Sequence, residues 1–206
     1  MIRTIITLVS LIIILDVLPS SSSSFLLIKN QLVCTIQNTK YPNEYLYSSV
    51  NEYDMYIDYE TKSVFKHKKL LTNNINFIKN SKQLIWIFKK VEWLNSTFYI
   101  QNIMSNYKYE HICASHVHID QFNYRRRVNL NLINKHSLIT NEKCMWKFIP
   151  STDGSKNVYN IWNVYYDEPL YAANHFYKTA KSNSRTVFLW HKIPDSKQFD
   201  WEVDCD

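Results

Sequence analysis

The sequence predicts an all-β fold, a disulfide-stapled β-trefoil built from three four-strand repeats, on three observations. Strand-forming residues abound, with 15 Tyr, 10 Phe and 6 Trp against a single glycine. Four landmarks recur in the same order three times along the chain. After the N-terminal segment, no long apolar stretch has the period of a helix.

The first landmark is a strand ending in Ile-x-Asn: Ile36-Gln37-Asn38, Ile100-Gln101-Asn102 and Ile161-Trp162-Asn163. The second is Asn43-Glu44-Tyr45-Leu46-Tyr47, matched by Asp167-Glu168-Pro169-Leu170-Tyr171 and, in degraded form, by residues 106–110. The third is Lys62-Ser63-Val64, Arg126-Arg127-Val128 and Arg185-Thr186-Val187. The fourth carries tryptophan: Trp86, Trp146 and Trp201. Three repeats of four strands fit a trefoil, in which six strands make a barrel and three hairpins cap one end. Repeats are expected at about residues 33–97, 98–157 and 158–206, inside one domain at 25–206. A sandwich of short strands is the alternative. Ile36, Ile100, Ile161, Val64, Val128, Val187 and the three tryptophans read as core. The asparagines close turns at strand ends.

The N-terminus has the order of a secretory signal. A basic Arg3 precedes an aliphatic run at residues 5–18, and small residues follow at 20–24. The run is shorter than the roughly 20 residues of a membrane-spanning helix. Residues 1–24 are therefore expected to be a signal peptide, and the product to be secreted and extracellular. Cysteine usage agrees: Cys34, Cys113, Cys144 and Cys205 are even in number, far apart and free of C-x-x-C spacing. Asn95-Ser96-Thr97 is a glycosylation sequon, which makes Asn95 a candidate modification site.

One glycine excludes phosphate-cradling loops and the nucleophile elbow, which each need several. No residue spacing indicates an acid–base pair or a nucleophile, so the chain reads as a non-enzyme without a cofactor. His116, His118 and Asp120 alternate along one stretch, but a polar strand face is the better reading and no metal is expected. The formal charge is +6. Its basic residues cluster at the expected hairpins: Lys62, Lys66, Lys68; Arg125, Arg126, Arg127; Lys178, Lys181, Arg185. Such clusters suit sulfated or otherwise anionic extracellular ligands. Nucleic acid is not expected in that compartment. Trp162 and Trp190 stand outside the threefold pattern and are candidate ligand-facing aromatics.

The third repeat resembles small secreted insect β-trefoil proteins, in particular the Cys/Trp-rich salivary proteins of mosquitoes. The similar residues are Asp167-Glu168-Pro169-Leu170-Tyr171-Ala172-Ala173, Arg185-Thr186-Val187-Phe188-Leu189-Trp190 and Phe199-Asp200-Trp201-Glu202-Val203. The resemblance implies a host-facing role, such as a salivary one, or a haemolymph role. Gln83 and Gln198 stand three residues before Trp86 and Trp201, one too far for the Gln-x-Trp mark of trefoil lectins, so no sugar site is carried over.

Four cysteines allow three connectivities. A trefoil makes its first and last strands neighbours, which selects Cys34–Cys205 and leaves Cys113–Cys144. The expected function is non-enzymatic binding, by a monomer, of an anionic glycan or small extracellular mediator through the basic hairpins. The alternative is a protease inhibitor presenting a loop at residues 71–80, which reads as an insertion in the first repeat.

Overall fold

The computed structural model describes residues 31–57, 64–78, 81–103, 110–120, 123–133, 141–179, 182–191 and 196–206. The expected signal peptide at 1–24, together with Lys62 and Lys181, lies outside the described residues, as do the side chains of Lys66 and Lys178.

Twelve strands follow one another: β1 Gln31–Asn38, β2 Glu44–Ile57, β3 Val64–Asn74, β4 Trp86–Lys90, β5 Thr97–Asn102, β6 Glu110–His118, β7 Arg126–Leu132, β8 Met145–Pro150, β9 Val158–Asn163, β10 Glu168–Thr179, β11 Ser182–Leu189 and β12 Asp200–Cys205. Short 3-10 turns at Ser81–Leu84, Glu142–Cys144 and Lys197–Phe199 lead into β4, β8 and β12. Period-two patterning drives the strands. In β1, Cys34, Ile36 and Asn38 are buried while their neighbours are partly exposed.

Closure comes from a ring of antiparallel pairs: β1 with β4, β4 with β5, β5 with β8, β8 with β9, β9 with β12 and β12 with β1. The remaining strands form three hairpins, β2–β3, β6–β7 and β10–β11. At their meeting point β3, β7 and β11 pair with one another.

The expected β-trefoil of three four-strand repeats is corrected by this pairing. All twelve strands belong to one antiparallel sheet that closes as a barrel. The hydrogen bonds cross the expected repeat boundaries, joining β4 to β5, β8 to β9 and β12 to β1. The physical reason is edge satisfaction. A separate group of four strands would leave rows of unpaired N–H and C=O groups, and closure removes them.

Trp86, Trp146 and Trp201 are fully buried at the centre, packed with Ile36, Ile100 and Ile161. Each indole N–H donates to a hairpin carbonyl: Leu46 at 3.1 Å, Ile112 at 2.7 Å and Leu170 at 3.0 Å. These bonds fasten the hairpins to the barrel and satisfy a donor that burial would otherwise strand. Asn38, Asn102 and Asn163, also fully buried, donate to carbonyls of the 3-10 turns, including Gln198, Gln83 and Lys143. A disulfide joins Cys34 to Cys205, which face each other across β1 and β12. A second joins Cys113 on β6 to Cys144 at the turn before β8.

Two further expectations are corrected in the first hairpin. The core position matching Val128 and Val187 is Leu70, not Val64. With Lys68, Arg126 and Arg185 taken as equivalent, the observed pairs Lys68 with Leu130, Arg126 with Leu189 and Arg185 with Thr72 all fall into one register. Leu70, Val128 and Val187 are then equivalent, and all are buried. The sequence alignment slips because the first hairpin is built from long strands, of 14 and 11 residues. The supposed 71–80 insertion arises from the same slip. Leu71, Thr72 and Asn73 are buried in β3 and pair with β2 and β11, so the first part of the expected loop is strand; the exposed Ile75 and Asn76 follow in a short turn, and residues 79–80 lie outside the described residues.

Candidate functional site at the hairpin end

The hairpin end brings together the described basic candidates Lys68, Arg125, Arg126, Arg127 and Arg185, but three of them bind the protein to itself. Lys68 on β3 pairs with Glu110 on β6, Arg126 on β7 with Glu168 on β10, and Arg185 on β11 with Glu44 on β2. Each cation reaches from one hairpin to the next, so the three pairs form a closed ring. Arg126 places Nε 2.9 Å from Glu168 Oε2 and Nη2 3.3 Å from Oε1. Arg185 Nε lies 3.1 and 2.9 Å from the two Glu44 oxygens, and Thr72 Oγ1 donates to the same carboxylate.

Local backbone geometry delivers two of the carboxylates. Asn43 and Asp167 hold φ of 66° and 51° immediately before Glu44 and Glu168. Asn and Asp tolerate that left-handed conformation better than most residues. Aromatic rings then cover the guanidiniums: Arg126 sits 3.6 Å from the Tyr166 ring centre, and Arg185 sits 3.6 Å from Tyr41 and 4.1 Å from Phe176. Burial pushes the Tyr41 and Tyr166 hydroxyls above their ordinary pKa despite the adjacent cations. Arg126 and Arg185 are thus structural, and a ligand would have to compete with hydrogen-bonded carboxylates to reach them.

Arg125 is also engaged. It pairs with Asp120 and lies 5.1 Å from the Phe188 ring centre. Although burial opposes ionisation, the backbone N–H of Asn123 and the Arg125 guanidinium hold the Asp120 carboxyl below its usual pKa. His116, His118 and Asp120 form no metal-ligating group among the described residues. His118 packs edge-on against Tyr124, which also meets His191 edge-on. Burial, aided by Arg126, lowers the His118 pKa.

One step along each strand from the ion-pair ring, the same symmetry makes a pit. Lys69 and Leu70 from β3, Arg127 and Val128 from β7, and Thr186 and Val187 from β11 line a cavity of about 280 Å³, joined by Ile119. Lys69, Arg127 and Thr186 bring two cations and a hydroxyl to its lining, while Leu70, Val128 and Val187, one residue on in each strand, belong to the core. Of the basic residues singled out from sequence, only Arg127 lines it. Lys69 was missed because the slipped alignment set Lys62 against Arg126; the Lys-Leu, Arg-Val, Thr-Val succession was the available signal.

The two unpaired tryptophan candidates separate. Trp190 donates its indole N–H to the Asn123 carbonyl at 2.9 Å and packs edge-on against Tyr171. Trp162 lies on the barrel flank, partly exposed, beside a second cleft that also takes in Asn95. Asn95 is exposed on the turn before β5.

No family model matches the chain. No curated protein matches it either. Solved structures do resemble it in fold. An SDF2-like protein from Arabidopsis thaliana superposes with a TM-score of 0.60 at 11% identity, over 84% of this chain and 92% of that one. A Polyporus squamosus lectin, solved with a sialylated influenza-binding epitope, gives 0.58 at 13% identity over 86% and 50%. A salivary protein of the Cysteine and Tryptophan-Rich family from Culex gives 0.50 at 19% identity over 84% and 92%. At these identities the likeness is one of fold. Among the described residues, no helix is long and apolar enough to cross a membrane.

Proposed function

We propose that the chain is a secreted, monomeric, non-enzymatic binding protein whose hairpin end takes an anionic extracellular ligand, either an acidic glycan unit or a small mediator. The pit carries this reading. Lys69 and Arg127 supply positive charge and guanidinium hydrogen bonds suited to a carboxylate, sulfate or phosphate. Ile119, partly exposed beside them, offers apolar surface for the rest of the ligand. The volume suits one sugar ring or a short amphiphile better than a long polymer. Both disulfides and the expected signal peptide fit an extracellular setting. A lectin and a salivary protein among proteins of like fold are compatible with a binding role.

The test is calorimetric titration of the mature protein with a sulfated disaccharide and with a short-chain alkyl sulfate. Arg127→Gln should weaken binding at least tenfold, and raising salt should weaken it further. Affinity equal in parent and variant, or absent for both probes, would reject the pit as the site.

A further inference from the structure

Three equivalent positions of the hairpins, Lys69 on β3, Arg127 on β7 and Thr186 on β11, border the pit. The strand pairings link them in a cycle. Lys69 faces Asn129, two residues from Arg127; Arg127 faces Phe188, two residues from Thr186; Thr186 faces Leu71, two residues from Lys69. Each is therefore a diagonal neighbour of the next across an antiparallel pair, at about 7–8 Å. A group at the centre of such a triangle lies roughly 4–5 Å from each Cβ, which brings even the short threonine hydroxyl within reach.

The charge around the pit is arranged for an anion. Lys69 is buried, and Arg127 and Thr186 are partly exposed. Lys69 and Arg127 also have partners within the protein. An ammonium carries three N–H donors and a guanidinium five, so each can serve a ligand as well. Four carboxylates near this end are held by other cations: Glu44 by Arg185, Glu110 by Lys68, Glu168 by Arg126 and Asp120 by Arg125. No carboxylate is among the described residues that line the pit. Three donors around one axis suit a tetrahedral oxyanion. A sulfate or phosphate monoester presents three terminal oxygens about a threefold axis, one for each hairpin. A carboxylate presents two in a plane and leaves one donor unmet.

We infer that the pit is a three-donor site for a sulfate or phosphate monoester, in which Lys69, Arg127 and Thr186 each donate to one terminal oxygen. The inference rests on the anionic-ligand reading of the pit and narrows it. Thr186 becomes the specificity-determining residue, since its neutral hydroxyl adds a hydrogen bond without adding charge. Sulfated and phosphorylated ligands share this chemistry. They differ in charge, because a phosphate monoester carries about −1.5 to −2 at neutral pH and a sulfate monoester a single negative charge.

The experiment titrates the mature oxidised protein calorimetrically with glucose 6-sulfate, glucose 6-phosphate and glucuronate, which carry different head groups at the same end of one sugar. At least one ester should bind about tenfold more tightly than glucuronate, and the tighter ester names the source. Thr186→Val should weaken that ester about tenfold and leave glucuronate unchanged. Thr186→Ser, which keeps the hydroxyl, should bind the ester like the parent. Glucuronate binding as tightly as both esters, an unaffected Thr186→Val, or equal losses in the Val and Ser variants overturns the inference. The broader reading of the pit then stands if Arg127→Gln still weakens glucuronate. Binding of none of the three compounds overturns both.

Discussion

Arg185 on β11 meets Glu44 at the start of β2, 141 residues away in sequence, with Nε 2.9 Å from Oε2. The contact joins the last hairpin to the first and closes the ring begun by Lys68–Glu110 and Arg126–Glu168. Both Arg185 and Glu44 side chains are only 9% exposed, whereas Lys68 is 26% exposed. That difference orders the costs of breaking the ring. Arg185→Ala strands a buried carboxylate and should destabilise by about 3–5 kcal/mol. Lys68→Ala also strands a carboxylate, Glu110 at 10% exposed, but water reaches the lysine side of the pair and screens it, so the loss should be smaller, about 1–3 kcal/mol. Urea unfolding of the oxidised protein measures both, and equal losses would refute the ordering. For the same reason, replacing Arg125, Arg126 and Arg127 together would test stability and not ligand binding alone.

Residue types that must be buried made part of this architecture legible. The three tryptophans and three asparagines are irreplaceable in chemistry as well as size, so their recurrence survives in the sequence. Hairpin length is not encoded that way. Val64 and Leu70 are both aliphatic and each stands two residues after a lysine, Lys62 or Lys68, so only strand pairing distinguishes them. The pairings that carry the sheet across the expected repeat boundaries were likewise hidden, since β4 with β5 leaves no motif in either strand. Glu44 and Glu168 did carry a signal, each following a residue suited to the left-handed conformation. The basic residues looked like binding surface because their carboxylate partners lie far away in the chain.

The indole bonds of the core make a second prediction. Trp146→Phe leaves the Ile112 carbonyl without its 2.7 Å donor and removes ring volume from a fully buried site. A loss of about 2–4 kcal/mol is expected from the stranded acceptor and the cavity together. Trp93→Phe, at an exposed position, should change stability by about 0.5 kcal/mol or less. Thermal or urea unfolding compares the two, and similar losses would show that the indole bond carries nothing.

His118 gives the protein a pH response. Its folded pKa lies below the ordinary 6.5, through burial and then the Arg126 charge. The unfolded chain therefore binds more protons across the window between the lowered value and 6.5, and stability rises with pH there. Acidification from neutral pH through that window should destabilise the protein. His118→Gln should flatten that segment of the stability curve, as read by urea midpoints at successive pH values. An unchanged slope in the variant would assign the response elsewhere.

The two disulfides should act unequally, and on the unfolded chain. Cys34–Cys205 spans a sequence separation of 171, and Cys113–Cys144 one of 31. Loop-closure entropy predicts stabilisation of about 5 kcal/mol for the first and about 4 kcal/mol for the second. Packing works against that order, because Cys113 and Cys144 are both buried beside Val91, Tyr99 and Met145, while Cys205 is partly exposed. Stability alone therefore mixes two effects. The urea m-value separates them, since it follows the surface newly exposed on unfolding. Freed of the long link, the unfolded chain of the Cys34→Ala, Cys205→Ala double variant expands almost throughout, and m should rise. In the Cys113→Ala, Cys144→Ala variant only a short segment is released, so m should move little while stability falls. If m rises equally in both, the barrel-closing bridge does not constrain the unfolded state as its span requires.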